Sequence, residues 1–143
     1  YYDESFELEI TTATEGANIT YSLDGSDPAK ASIFSPAQKY EGPITISTTT
    51  VVRAVAKKSG WQSTNTDTNT YIFHDDVVNQ PDEPEGFPSK WGRFSVDYEM
   101  DPEITGPNAG EMRGALRSLP TVSFVGHNDD FFGSKGITFK ERP

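Results

Sequence analysis

Residues 1–74 contain short runs in which apolar and polar side chains alternate, and turn-forming residues separate these runs. A period of two puts successive side chains on opposite faces of a strand, so each run can bury its apolar face in a core and expose its polar face to water. The apolar positions of the runs are Phe6, Leu8 and Ile10; Ile19, Tyr21 and Leu23; Ile44 and Ile46; Val52, Ala54 and Ala56; Tyr71 and Phe73. In the fourth run, Arg53 and Lys57 are expected to face outward. Several short strands with turns between them predict an antiparallel β-sandwich over residues 1–74.

The next segment, residues 75–99, has a different composition. Prolines and a glycine recur within eight residues among acidic side chains, at Pro81, Pro84, Gly86 and Pro88. Because proline cannot donate to a sheet, this segment is predicted to be an extended, acidic connector. Its aromatic residues would be costly to expose, so we expect part of the connector to pack on a domain; they are Phe87, Trp91, Phe94 and Tyr98.

Residues 100–143 mix helical and strand patterns and are predicted to form a truncated α+β segment. A helix is predicted to begin at Pro102, because Asp101 supplies a capping carboxylate and proline is favoured at the first helical position. The further predicted elements are a helix over 109–119, a strand over 121–125, a turn over 129–132 and a strand over 136–140.

The composition narrows the classes of partner. Aromatic residues make up 12% of the chain, which argues against disorder despite a formal net charge of -10. This acidic balance disfavours nucleic acid and anionic membrane surfaces, and no apolar run reaches the roughly 20 residues of a membrane span. With 0 cysteines, there is no disulfide framework or thiolate site. The absence of cysteine fits a secreted bacterial protein. Because the chain opens in mid-pattern without a signal peptide, we expect it to be a piece of a longer protein.

The turn after the second run carries two carboxylates, Asp24 and Asp27, together with Gly25 and Pro28. One interpretation is calcium binding, but calcium takes six to eight oxygen ligands and the alternating acidic spacing of a calcium loop is missing. The favoured interpretation is structural: both carboxylates accept backbone amides while the glycine supplies a positive φ.

Three aromatic residues are candidate glycan contacts: Trp61, Tyr40 and Trp91. An aromatic face suits the apolar side of a sugar ring, and Trp61 follows a glycine in a loop, where exposure is expected. The alternative is that these rings cover apolar side chains, since loop tryptophans commonly fold over the end of a sandwich.

No catalytic residue is assigned. The two histidines, His74 and His127, are expected to be ordinary surface or loop residues. Ser123 is not part of a Gly-x-Ser-x-Gly motif, which positions the nucleophilic serine of many hydrolases. Carboxylate doublets on a strand point to opposite faces, so they do not reproduce the facing pair of a glycosidase. The doublets are Asp75 with Asp76, Asp82 with Glu83, and Asp129 with Asp130. The sequence therefore predicts a protein without enzymatic activity, cofactor or metal.

The run from Gly16 to Pro28, GANITYSLDGSDP, resembles the signature of the chitobiase/β-hexosaminidase C-terminal-type domain. Three later blocks are similar in order and spacing: YEGPI from Tyr40, TTTVVRAVA from Thr48, and GW at Gly60 followed by YIF from Tyr71. The resemblance covers about residues 3–74 and implies an immunoglobulin or fibronectin type III-like sandwich. It also implies an accessory, non-catalytic module of secreted and often carbohydrate-active proteins.

The second half, including DYEMDP at 97–102 and DFFG at 130–133, resembles a region that precedes spore-coat-protein-H-type (CotH-like) kinase domains in bacterial surface proteins. The expected function is that of a spacer in a secreted or cell-surface bacterial protein, with neighbouring domains of the same polypeptide as partners. A polysaccharide is a further candidate partner. The alternatives are a true carbohydrate-binding module and a fragment leading into a kinase domain.

Overall fold

The computed structural model describes residues 1–31, 36–91 and 93–137. The chain forms two compact units, one comprising Tyr2–Ile72 and the other comprising Tyr1 with the chain from Phe73 onward.

The unit Tyr2–Ile72 is built from antiparallel strands. They are β1 (Phe6–Leu8), β2 (Asn18–Ser22), β3 (Gln38–Lys39), β4 (Ile44–Ile46), β5 (Thr50–Lys57) and β6 (Asp67–Tyr71), with a short 3₁₀ helix at Pro28–Lys30. Strands β1 and β4 pair with each other, while the other four form a sheet in the order β3-β2-β5-β6. The predicted antiparallel strands are therefore present. Strand β3 was not predicted, because two polar residues give no alternation.

The strand register shows which side chains share a face of the four-stranded sheet. Ile19 of β2 lies opposite Ala56 of β5, and Tyr21 lies opposite Ala54. Directly paired residues project to the same face, so these four and Val52 form one apolar face. Tyr21 and Val52 on this face are buried.

Strand β5 departs from the predicted pattern of one buried and one exposed face. Val55, which alternation places with Arg53 and Lys57 on the outward face, is only 2% exposed. The 3₁₀ helix packs against β2 and β5. Of the two residues expected to face outward, Lys57 is exposed and Arg53 is half-buried, because Val55 between them lies on a face that is also covered.

The second unit contains four helices and a short hairpin within the described residues. They are α1 (His74–Val78), β7 (Lys90–Trp91), β8 (Phe94–Ser95), α2 (Pro102–Thr105), α3 (Ala109–Ser118) and α4 (Asn128–Phe132). The prediction of an extended connector over 75–99 was wrong for the parts of this stretch that form most of α1 and the β7–β8 hairpin. Its aromatic residues are only partly covered: the Phe87 ring lies 5.6 Å from that of Tyr98, whereas Phe94 is 63% exposed.

The predicted helices of residues 100–143 are present. The Asp101 carboxylate accepts the Glu103 amide at 2.8 Å at the start of α2, and α3 buries Met112. The strand predicted over 121–125 is absent, because no described segment pairs with these residues. The predicted turn over 129–132 is part of α4, and of the strand predicted over 136–140 only the first two residues are described, in a turn.

The second unit buries a few of its residues. They include Phe73, Val96 and Met112, and His74 is 1% exposed. The expectation that His74 is a surface residue was therefore wrong: its ring stacks on that of Tyr1, with centroids 4.4 Å apart. Among the described residues, no helix has the length and apolar character needed to cross a bilayer.

Candidate functional site

The turn between β2 and the 3₁₀ helix is held by hydrogen bonds to its backbone. The Ser26 amide donates to the Asp24 carboxylate at 2.9 Å, and the Ser22 hydroxyl donates to the Ser26 carbonyl at 2.6 Å. Gly25 has a φ of 77°, which a residue with a side chain rarely adopts. Its carbonyl accepts the Arg53 guanidinium at 3.2 Å. The turn is thereby fastened both internally and to β5.

Asp27 links this turn to a second loop. Its carboxylate caps the 3₁₀ helix by accepting the Ala29 amide at 3.0 Å. The same oxygen accepts the Thr66 hydroxyl at 2.9 Å, and Thr66 directly precedes β6. Pro28, at the first position of the 3₁₀ helix, is buried. The Asp27 carboxylate therefore links the turn to the residue that precedes β6.

Both carboxyl groups favour the ionised form. For Asp24, the hydrogen bond from the Ser26 side chain lowers the pKa and outweighs the opposing effect of burial. For Asp27, burial alone would raise the pKa. The hydrogen bonds from Ala29 and Thr66, together with the positive charges of Arg53 and Lys30, outweigh it and lower the pKa. In the part of the chain that the structure describes, no group of three or more His, Asp or Glu residues is placed to hold a metal ion.

The three candidate glycan contacts lie in different settings. Trp61 is 66% exposed, and the Lys58 ammonium lies 5.3 Å from the centre of its ring. Tyr40 is half-buried: its hydroxyl accepts the Ile10 amide at 3.1 Å, and its ring meets that of Tyr21 edge-on. Trp91 belongs to β7, and its side chain lies outside the described residues. Trp61 is thus the candidate with an accessible aromatic face.

The histidine and carboxylate candidates have structural contacts. His127 caps α4, where its Nδ1 accepts the Asp129 amide at 3.2 Å and the Asp130 carboxylate accepts the His127 amide. Asp75 on α1 accepts two hydrogen bonds from Arg113 on α3, the one from Nε at 3.0 Å. These contacts join local segments of the second unit.

A groove that the sequence did not reveal lies within the unit Tyr2–Ile72. Its volume is about 220 Å³, and it lies between the chain that follows β1 and the apolar face of β5 and β6. Its floor includes Ile19, Val52 and Ala54, and its wall along β6 includes Asp67, Asn69 and Tyr71. The only signal in the sequence was that Asp67 and Asn69 alternate toward Tyr71, which marks one face of a strand without showing what it faces.

The unit Tyr2–Ile72 is thus a small domain of antiparallel strands whose charged turn residues hold the backbone. Residues 1–68 match the family model of the chitobiase/beta-hexosaminidase C-terminal domain, so the resemblance seen in the sequence is confirmed over this range. No curated protein and no solved structure matches the chain.

Proposed function

We propose that residues 1–74 form an immunoglobulin or fibronectin type III-like sandwich that serves as a non-catalytic accessory and spacer module. The whole protein is then a secreted or cell-surface bacterial protein, and the partners of the module are neighbouring, carbohydrate-active domains of the same polypeptide. The observation that carries the proposal is the family match over residues 1–68. The family is named for the C-terminal domain of chitobiases and β-hexosaminidases, and a domain at that end of an enzyme suits an accessory role.

The geometry of the turn supports this proposal. The carboxylates of Asp24 and Asp27 accept backbone amides and have lowered pKa values. A general acid needs a carboxyl group that retains its proton near neutral pH, usually through a raised pKa. These two carboxylates therefore suit a structural role and not proton donation.

The experiment is an activity assay on the purified full chain. We expect no release of chromophore from aryl β-N-acetylhexosaminides or aryl β-glucosides, while circular dichroism shows a cooperative unfolding transition. Turnover that a single carboxylate substitution removes would contradict the non-catalytic role. The resemblance of residues 75–143 to the region before CotH-like kinase domains stays a prediction, which the encoding reading frame beyond Pro143 tests.

A second candidate function is carbohydrate binding through Trp61, and the exposure of that ring favours it. A sugar can lie on an exposed aromatic face, and since the Lys58 ammonium lies over one face of the Trp61 ring, the sugar would stack on the other. The test is retention of the chain on insoluble chitin or cellulose, compared with Trp61→Ala. Retention that the substitution removes supports this candidate, and equal passage of both proteins contradicts it.

A further inference from the structure

The groove along β6 places polar side chains beside apolar residues of β5. Asp67 lies opposite Ala54 in the register, and Asn69 lies opposite Val52. Since paired residues share a face, both polar side chains project to the side on which Val52 and Ala54 form the floor. Tyr71 continues the same row, and its ring lies 5.4 Å from that of Phe6 on β1. An apolar floor and a polar wall therefore meet along one strand.

The polar groups of this wall are available for a ligand. Within the described residues, the side chains of Asp67 and Asn69 make no hydrogen bond or ion pair, and both residues are exposed. A carboxylate only accepts hydrogen bonds, whereas a side-chain amide both accepts and donates them. Neighbouring hydroxyl groups on a sugar ring both donate and accept, so this pair complements them. The apolar floor suits the C–H groups of the same ring.

Charge and size limit the class of ligand. The groove has carboxylates at Glu9 and Asp67, and none of its lining residues is Lys or Arg. An anionic sugar would meet like charge without a compensating cation. The volume of about 220 Å³ is below the roughly 300–1,000 Å³ of pockets for drug-sized ligands. The groove thus suits one ring, and not the length of a chain.

We infer that this groove binds a single ring of a neutral sugar, with Asp67 and Asn69 contacting its hydroxyl groups and Val52 and Ala54 contacting its C–H face. The inference rests on the proposed association of this module with carbohydrate and names a site for it that is separate from Trp61. The same residues have an alternative role: β6 is the edge of its sheet, and an inward-pointing charge on an edge strand opposes pairing with another chain.

The test is an NMR titration of the ¹⁵N-labelled full chain with glucose and N-acetylglucosamine, and with glucuronate as the anionic comparison. We expect saturable shifts of the Asp67 and Asn69 amide signals at millimolar concentrations of at least one neutral sugar, and weaker binding of glucuronate. Asn69→Ala should weaken binding roughly five-fold, because one or two hydrogen bonds are lost. Thr68→Ala, on the opposite face of the same strand, is the matched control and should bind as the wild type does. Circular dichroism verifies that each variant is folded.

Two results would overturn the inference. The first is the absence of saturable shifts in the groove with every sugar. Self-association of Asp67→Leu would then show that the carboxylate protects the strand edge. The second is sugar-induced shifts that centre on Trp61 and disappear in Trp61→Ala alone, which would move binding to the loop. Neither result affects the proposed accessory role, which fails only if the chain shows catalytic turnover.

Discussion

Asp27→Ala tests whether the turn residues hold the fold. The substitution removes the cap of the 3₁₀ helix and the acceptor for the Thr66 hydroxyl. Loss of an N-cap costs about 1 kcal/mol, and loss of a second, partly buried hydrogen bond costs about another 1 kcal/mol. The expected loss in the free energy of unfolding is therefore about 2 kcal/mol. For a domain of this size, such a loss lowers Tm by about 10 °C.

The pH dependence of this difference provides a second, independent measurement. The folded state lowers the pKa of Asp27 below its ordinary value of 3.8. The unfolded state therefore takes up the proton first as pH falls. The stabilisation is fully present above pH 3.8 and is lost as pH falls through the lower folded pKa. The alanine variant lacks this contribution, so its difference from wild type should narrow in acid.

The assay is urea unfolding of the full chain, monitored by circular dichroism, near pH 7 and again at about pH 2–3. Glu4→Ala is the control, since this exposed carboxylate makes no hydrogen bond or ion pair with a described residue. Thr66→Val, which removes only the hydroxyl, should account for about half of the loss. A loss below about 0.5 kcal/mol, or a difference that stays constant into acid, would refute the reasoning.

Three further substitutions test other parts of the chain by the same unfolding assay. Val55→Ala should cost about 2–3 kcal/mol because the side chain is 2% exposed. A loss no larger than that of Val51→Ala, which removes a half-buried side chain from the same face, would contradict the deep burial of Val55. Gly25→Ala should cost about 1–2 kcal/mol because of its positive φ; an unchanged midpoint of unfolding would argue against that conformation. Arg113→Gln should cost roughly 0.2–1 kcal/mol, since Arg113 and Asp75 are both exposed. That loss should shrink at high salt, and a salt-independent loss would indicate packing in place of charge.

Alternation in the sequence predicts a strand correctly where the sheet covers one of its faces. Strand β1 fits, because Phe6 and Leu8 are half-buried while Glu7 between them is exposed. Strand β5 does not fit, because Val55 is buried on the face that alternation assigns to water. A central strand that is covered on both sides has two apolar faces. The alternation rule assumes that one face is exposed to water, so it does not predict burial of the second face.

Strand propensity also fails where no partner is available. The segment 121–125 has the β-branched and aromatic composition of a strand, yet Val122 and Phe124 are 72% and 78% exposed. A strand is stabilised by its neighbours and not by its own backbone, so composition alone does not produce one. In contrast, the start of α2 was predicted because Asp101 caps its own helix, and that interaction needs no distant segment.

The same distinction between local and distant interactions separates the two candidate sites. The roles of Asp24 and Gly25 could be anticipated because an Asp–Gly turn is stabilised by residues within a few positions of each other. The groove could not be predicted from the sequence, because it depends on the register that places Asp67 opposite Ala54 and on the course of the chain after β1. That register depends on the partner strand and on the connection to it as well as on the residues of β6. A polar residue on an inward strand position is therefore a signal of either edge protection or binding, and the groove beside it is what makes binding testable here.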